Sequence, residues 1–323
     1  MTQIAVLTSG GDAPGMNAAV RAVVRMGVSQ GWVVHGVRNG FTGLIEGDFV
    51  PLGLRDVGGI IGQGGTFLGT RRCDALKTAA GQAMALRQLH DRDIAALVVV
   101  GGNGSQRGGA ALSRGGAHVI GVASTIDNDL PDFDVTLGTT SALEVALEAI
   151  DRLRITASSL RRVFLMEVMG RDCGYLALMA GVAGGAEAIV IPESTTEPES
   201  LAQEIRAAYQ RGKSHAIVVV AEGARLNAEQ LAAYFAEHAE RLGYELRITK
   251  LGHTQRGAAP GLVDRMMGTR LGVAAVEHCV AGHHGMVLGI LNGQVSAVGY
   301  PVLKTDNRPI DAHLLEVARI LAR

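Results

Sequence analysis

The chain has 323 residues, near the roughly 250–300 at which a single hydrophobic core stops growing, so one domain or two both fit it. A formal charge of −1 gives no basic field and an aromatic content of 4% no stacking platform, which excludes nucleic acid as the main partner. Cys73, Cys173 and Cys279 stand far apart without CxxC spacing, which argues against a disulfide framework or zinc site and for a reducing cytoplasm. The most apolar stretch, 176–191, is interrupted by Glu187 and glycines, and the N-terminus enters a strand directly, so neither a membrane span nor an export signal is expected.

Short β-branched runs at 4–7, 33–37, 97–100, 119–122, 163–168, 188–191, 217–220 and 287–290 alternate with helical patterns. That alternation predicts an α/β fold with doubly wound, mostly parallel sheets. The first run leads into TSGGDAPGMNAAVR, where a helix is expected to start near Asp12 to Pro14 and to carry Met16, Ala19, Val20, Val23 and Met26 on one stripe. Gly10 and Gly11 then lie at its positive end. The run at 97–100 ends in GGNGS, and the run at 119–122 in ASTIDND. Further on, Ser141 with Glu144 reads as a capping box opening a helix with Leu143, Ala146, Leu147, Ile150 and Leu153 on one face. The same device is expected at Thr196 and Glu199, after a proline-flanked loop at 192–198.

A parallel strand that ends in glycines lets backbone N–H groups approach a phosphate, because no Cβ intervenes and the next helix aims its positive end there. Either glycine turn alone is as consistent with tight packing. Two in one chain favour a shared crevice, where open α/β sheets bind ligands. An Asp-Asn-Asp run is usually a solvated turn, but here it follows an apolar strand. If extended, it would point Asp127 and Asp129 the same way, toward a metal or a hydroxyl. Paired arginines on helices are mostly solvated faces. Arg171 in MGRDCG and Arg256 in HTQRGA differ, since each lies beside glycine where a loop end can present a guanidinium to phosphate. His253 alone would more often be structural than catalytic.

Taken in order, TSGGDAPGMNAAVR from Thr8, GGTFLGTRR from Gly64, GGNGS from Gly101, STIDND from Ser124, DRLR from Asp151, EVMGRDCG from Glu167, AGGAE from Ala183, RGKSHAIVVVAEG from Arg211 and LGHTQRG from Leu251 resemble the bacterial 6-phosphofructokinases. The match runs over nearly the whole chain. It implies ATP-dependent phosphorylation of fructose 6-phosphate at its 1-hydroxyl, with ATP as co-substrate and Mg2+. It also implies two doubly wound domains with the active site in the cleft between them. A nucleotide-binding domain would comprise 1–138 and 251–304, and a fructose 6-phosphate domain 139–250 and 305–323. By the same resemblance Asp127 is the general base, and Thr125 and Arg171 stabilise the transferring group. Met169, Gly170, Glu222, His253 and Arg256 hold the sugar phosphate, to which Arg162 and Arg247 reach from a neighbouring subunit of a homo-oligomer, usually a tetramer. Gly11, Arg72, Cys73, Gly102, Asn103, Gly104 and Ser105 line the nucleotide, and Asn103 and Asp129 are the metal candidates. Arg21, Arg25, Arg154, Gly185, Glu187, Arg211, Lys213 and His215 match a subunit-interface site for ADP or phosphoenolpyruvate.

Four positions depart from the family pattern. Leu54 and Gly59 stand where an arginine and an aspartate are usual, with Arg55 adjacent. Asn103 replaces the magnesium-binding aspartate of ATP users, and a neutral amide is a weaker ligand for a hard cation. Ser124 is neither the glycine of ATP users nor the lysine of pyrophosphate users, whereas Gly104 is the ATP-type residue. A pyrophosphate-dependent phosphotransferase is therefore the alternative enzyme, and a catalytically weak binding protein the alternative of another class.

Overall fold

The computed structural model describes residues 1–304 and 308–322. It opens with β1 (Gln3–Ser9), α1 (Met16–Ser29), β2 (Val33–Val37), α2 (Gly40–Glu46), β3 (Phe49–Leu52), α3 (Ala79–His90), β4 (Ile94–Gly101), α4 (Asn103–Arg114), β5 (Val119–Ala123) and α5 (Thr139–Leu160). Next come β6 (Val163–Val168), α6 (Tyr175–Ala183), β7 (Ala188–Val190), α7 (Pro198–Gln210), β8 (Ala216–Ala221), α8 (Ala228–Glu237), α9 (Ala239–Leu242) and β9 (Leu246–Lys250). The chain then runs through α10 (Leu262–Val280), β10 (Met286–Leu291), β11 (Gln294–Gly299) and α11 (Ala312–Leu321). All eight strands read from apolar runs are among these.

The chain divides into two units: one holds Met1–Ser141 and Arg256–Asp306, the other Ala142–Gln255 and Asn307–Arg323. These breaks lie after 141 and 255, a few residues beyond the expected 138 and 250. The first turn of α5 is tied to α10 by hydrogen bonds and so stays with the first unit. The third expected boundary, at 304/305, falls at the edge of the described residues.

In the first unit the sheet order is β11-β10-β5-β4-β1-β2-β3, with only β3 and β11, at the edges, antiparallel to their neighbours. Strand order reverses between β1 and β4, because the chain steps from β1 to β2 on one side and from β4 to β5 on the other. Right-handed crossovers in opposite directions put their helices on opposite faces. Accordingly Ala5, Leu7, Leu97 and Val99 pack with Phe41 and Leu44 of α2, Leu89 of α3 and Leu112 of α4, whereas Ile4 and Val34 face α1 at Gly27. The second unit has a four-stranded parallel sheet, β7-β8-β6-β9. Its central strand β8 is apolar on both sides and β6 is so but for Glu167, and one face of the sheet meets Leu201, Ile205, Leu231 and Phe235 of α7 and α8.

Three strands escaped the periodicity. β3 contains Pro51, tolerated because it lies at a sheet edge. β9 carries Arg247 and Lys250 on an edge, where charge discourages pairing with other chains. β11 breaks its apolar Val295, Ala297 and Val298 with Gln294, Ser296 and Gly299, and enters through Asn292-Gly293, both at positive φ, a hairpin turn.

The predicted helix starts also need correction. Helix α1 begins at Met16 rather than at 12–14, because Gly15 sits at φ 96 and breaks the helix before it. Ser141 does not cap α5, which already starts at Thr139; its N–H and hydroxyl both go to Asp264. Thr196 does not cap α7 either. Glu197 is the cap residue with Pro198 at the first helical position, and Glu199 instead receives Tyr234 at 2.8 Å and Arg241 at 2.6–2.7 Å. A genuine capping box joins Asn227 and Gln230 at the start of α8.

Helices α1 and α10 approach backbone to backbone. A Cβ on Gly272 would stand 2.5 Å from the Ala19 carbonyl oxygen and 2.7 Å from the Ala22 methyl. Gly272→Ala gains about 1 kcal/mol of helix propensity and loses about 1–3 kcal/mol to overpacking against backbone that cannot give way. A lower urea midpoint is the expected net result; an unchanged midpoint would mean the helices part cheaply.

Candidate active site

In the first unit the carboxyl ends of β1, β4 and β5 lie side by side, paired Ser9 to Gly101 and Gly101 to Ala123. The floor they make is backbone. A Cβ on Gly101 would fall 2.5 Å from the Ser9 carbonyl oxygen, and one on Gly102 would fall 3.0 Å from Thr125 Cβ. After this floor α4 begins at Asn103, with Gly102 as an extended N-cap that provides no side-chain cap. The first N–H groups of α4, at Asn103, Gly104 and Ser105, have no carbonyl within the helix, and an anion can take them. Beyond its chain neighbours and the backbone of its own helix, nothing lies within 4 Å of where a Cβ would stand on Gly104.

The 63–70 segment is fastened onto the end of β1. Asn17, buried on α1, donates to the Gln63 carbonyl at 3.0 Å and accepts from Phe67 N–H at 2.7 Å. Thr8 donates to the Gly69 carbonyl at 2.9 Å, and Thr70 to the Gly10 carbonyl at 2.7 Å. Arg71, Arg72 and Cys73 follow directly, with Arg72 exposed and its carbonyl accepting from Thr42.

Beyond β5 the chain does not continue as a strand. Asn128 adopts φ 51, so the expected same-side presentation of Asp127 and Asp129 from an extended segment is not what forms. Asp127 is 3% exposed. Arg256, also buried, places one guanidinium nitrogen 3.1 Å from the Asp12 carbonyl oxygen and another 3.9 Å from an Asp127 carboxylate oxygen. The close approach depends on Gly11, where a Cβ would sit 2.3 Å from an Arg256 nitrogen. The first unit thus assembles Gly11, Gly102, Thr125, Asp127 and Arg256, a carboxylate and a cation over a floor of N–H groups.

In the second unit Met169, Gly170 and Arg171 follow β6, with Gly170 at φ 139 and Arg171 at φ 50. The turn is held from two sides. Gln255, buried, accepts Met169 N–H at 2.8 Å, and Glu222, after β8, accepts Arg171 N–H at 3.1 Å. His253 is exposed in the short helical turn Gly252–Gln255. Arg162 precedes β6, and Arg247 on edge strand β9 pairs with Glu245 at 2.8 Å.

The opposite edge of that sheet, before β7 and β8, gathers the other expected cations. Buried Glu187 accepts from Lys213 at 2.8 Å and from Ile217 N–H at 2.6 Å. Arg154 donates to the Gly184 and Gly185 carbonyls, and Arg211 and Lys213 donate to the Ala322 carbonyl at 3.1 and 3.4 Å. His215 stands just before β8. Arg21 and Arg25 belong to the first unit, where Arg25 donates to the Leu54 carbonyl at 3.5 Å and Gly59 adopts φ 81.

Asn17, Asn128, Gln255 and Asp264 were not singled out from sequence. Three of them lie inside matched motifs, while Asp264 sits in a helix whose neighbours show nothing unusual. Burial pushes the Asp264 carboxyl above its ordinary range, and hydrogen bonds from Ser141 and Gly138 pull it partly back. Among the described residues no three His, Cys, Asp or Glu side chains gather as a metal site, and no helix is long and apolar enough to cross a membrane.

Glycine-floored strand ends at a reversal of strand order, with a buried carboxylate and guanidinium beside them, define an enzyme built for phosphorylated ligands. The sequence pattern described as Phosphofructokinase matches residues 3–279. The chain is 47% identical over 324 residues to ATP-dependent 6-phosphofructokinase 1 of Thermus thermophilus, covering 100% of both. It superposes on the T-state phosphofructokinase of Pichia pastoris with a TM-score of 0.88 and 36% identity, over 93% of this chain and 35% of that one. A pyrophosphate-dependent phosphofructokinase from Marinobacter aquaeolei shares the fold, with a TM-score of 0.87 at 21% identity over 98% of this chain and 91% of that one. The chain belongs to the phosphofructokinase family.

Proposed function

We propose that this chain is an ATP-dependent 6-phosphofructokinase, transferring the terminal phosphoryl group of ATP to the 1-hydroxyl of fructose 6-phosphate to give fructose 1,6-bisphosphate in glycolysis. The observation that carries the reading is the buried Asp127, 3.9 Å from Arg256 beside the glycine turns of β1 and β4, in a chain that matches such kinases end to end.

In this reading Asp127 takes the proton of the attacking hydroxyl. It need not be a strong base, because phosphoryl transfer relies mostly on positioning and on spreading charge onto cations. Thr125 and Arg171 stabilise the transferring group. The first unit is the nucleotide-binding domain, with Gly11, Arg72, Cys73 and the Gly102 to Ser105 turn lining ATP. The second is the sugar-phosphate domain, with Met169, Gly170, Arg171 and Glu222; His253 and Arg256 complete the sugar-phosphate contacts. The observed hydrogen bonds of Glu222 to Arg171 N–H, and of Arg256 to Asp12, support these two residues as organisers of the turns as well as ligands.

Magnesium supplies charge neutralisation of the ATP phosphates when bound. Asn103 and Asp129 fit a supporting part, one neutral oxygen and one carboxylate, for an ion that keeps waters and is carried mainly by phosphate. Arg162 and Arg247 would act on the sugar phosphate of a neighbouring subunit in a homotetramer. The cluster of Arg154, Glu187, Arg211, Lys213 and His215 with Gly185, together with Arg21 and Arg25, would bind ADP or phosphoenolpyruvate as effector. Its widely spaced cysteines support a cytoplasmic location.

Asn103 and Ser124 favour pyrophosphate as a second reading for the donor. Gly104 supports ATP, because the room around it is what a nucleotide needs and an aspartate there would fill. A coupled assay is expected to show turnover with MgATP; a strong preference for pyrophosphate overturns the donor assignment. Asp127→Ser should lower kcat by roughly 10²–10⁴-fold with little change in sugar-phosphate affinity, and unchanged turnover would remove Asp127 as base. Asn103→Asp should lower the magnesium concentration at half-maximal rate, since a carboxylate holds a hard cation more tightly than an amide.

A further inference from the structure

We infer that Asp264 on α10 is a positioning residue for phosphoryl transfer, acting at a distance by locking the 136–141 segment against the loop that carries Thr125 and Asp127. The inference rests on the reading of Asp127 as base.

Asp264 is buried, and both of its oxygens are engaged by one short stretch of chain. One accepts Gly138 N–H at 2.7 Å; the other accepts Ser141 N–H at 2.8 Å and the Ser141 hydroxyl at 2.6 Å. The Ser141 hydroxyl oxygen in turn accepts Gly261 N–H at 3.0 Å, which closes the link back to the start of α10. The stretch so held is the brace of the catalytic loop. Thr136 and Thr139 both donate to the Thr125 carbonyl, at 2.7 and 3.0 Å, and their hydroxyls meet at 2.9 Å. Thr136 N–H also donates to the Asn128 side chain at 2.9 Å, so the residues on both sides of Asp127 are tied to one strut. Ser124 donates to the Leu137 carbonyl at 3.1 Å, and Leu137 N–H to the Ala123 carbonyl at 3.1 Å.

A helix cap alone does not account for this arrangement. Capping of α5 needs only a local Ser, Thr, Asn or Asp, whereas a carboxylate in the interior costs desolvation that hydrogen bonds must offset. Asp264 reaches Ser141 across a sequence separation of 123. What the distant carboxylate adds is a fixed height for Gly138 and Ser141, and through Thr136 and Thr139 a fixed place for the Thr125 carbonyl and the Asp127 side chain. Low-dielectric networks of this kind hold geometry only when every member is satisfied.

The test is a double-mutant cycle on the full-length enzyme assayed with MgATP and fructose 6-phosphate. Asp264→Ala is expected to lower kcat by about 10²-fold, the scale of an ångström-sized misplacement, with KM for both substrates within about threefold. Asp264→Asn keeps one acceptor oxygen but sets an NH2 against the N–H of Ser141 or Gly138, so its kcat should fall between those of the wild type and Asp264→Ala. In an Asp127→Ser background, Asp264→Ala should then cost at least about fivefold less than in the wild type, because the base it positions is gone and only the placement of Thr125 is left to lose. A merely structural role predicts the same factor in both backgrounds, or a loss that follows the folded fraction, and either result overturns the inference. Thr139→Val cuts the strut near the loop while sparing Asp264, so it carries the same cycle if Asp264→Ala does not fold. Unchanged turnover in Asp127→Ser alone sinks the base reading and this inference with it. Collapse there with additive Asp264 and Thr139 effects sinks this inference alone.

Discussion

The site depends on how closely the backbone of β4 can approach that of β1 where the strand order reverses. A methyl group on Gly101 would strike the Ser9 carbonyl oxygen, and one on Gly11 would strike Arg256. Side chains at either place would lift the floor of the crevice or push the guanidinium away. With glycines there, the crevice presents N–H groups, the start of α4 and a single buried arginine. A chain with a formal charge of −1 can therefore offer a local place for an anion without a basic surface. Local construction also suits phosphoryl transfer, where charge must be met at the transferring group rather than across the molecule.

Around that floor, rigidity comes from polar side chains buried with their partners. Asn17 clamps the 63–70 segment, Gln255 and Glu222 clamp the Met169 to Arg171 turn, and Asp264 with Thr136 and Thr139 clamps the loop of Asp127. In each case a backbone in unusual conformation, such as Gly170 at φ 139 or Asn128 at φ 51, is held by a side chain from a different element. Strain of this sort persists only where the surroundings over-determine it. These clamps explain how turns rich in glycine, flexible in isolation, can hold their side chains still.

The elements legible in the sequence were those whose burial is two-sided. Strand 216–221 is apolar throughout and strand 163–168 apolar but for Glu167, because helices cover both faces of their sheet. The edge strands β3, β9 and β11 were illegible for the opposite reason, since they contain Pro51, Arg247, or Gln294 and Ser296, which suit a strand with one free side; the edge strand β7, being apolar, was legible. Helix starts were misread where capping is supplied from elsewhere. Ser141 and Glu144 have the spacing of a capping box, yet the N–H groups there go to Asp264, and no local pattern reveals a partner so distant in sequence. The genuine box at Asn227 and Gln230 has the ordinary spacing and lay unnoticed.

By itself the sequence determined the alternation of strands and helices, the glycine turns that end β1 and β4, and the family motifs around Asp127, Arg171 and Arg256, because each is written in neighbouring residues. Tertiary structure alone decided that Arg256 lies beside Asp127, that Gln255 carries the Met169 turn and that Asp264 is tied to the segment bracing the loop of Asp127. Hydrogen bonds between residues far apart in sequence obey no local period; they exist only once packing has excluded water and left each buried donor to find its acceptor in the fold.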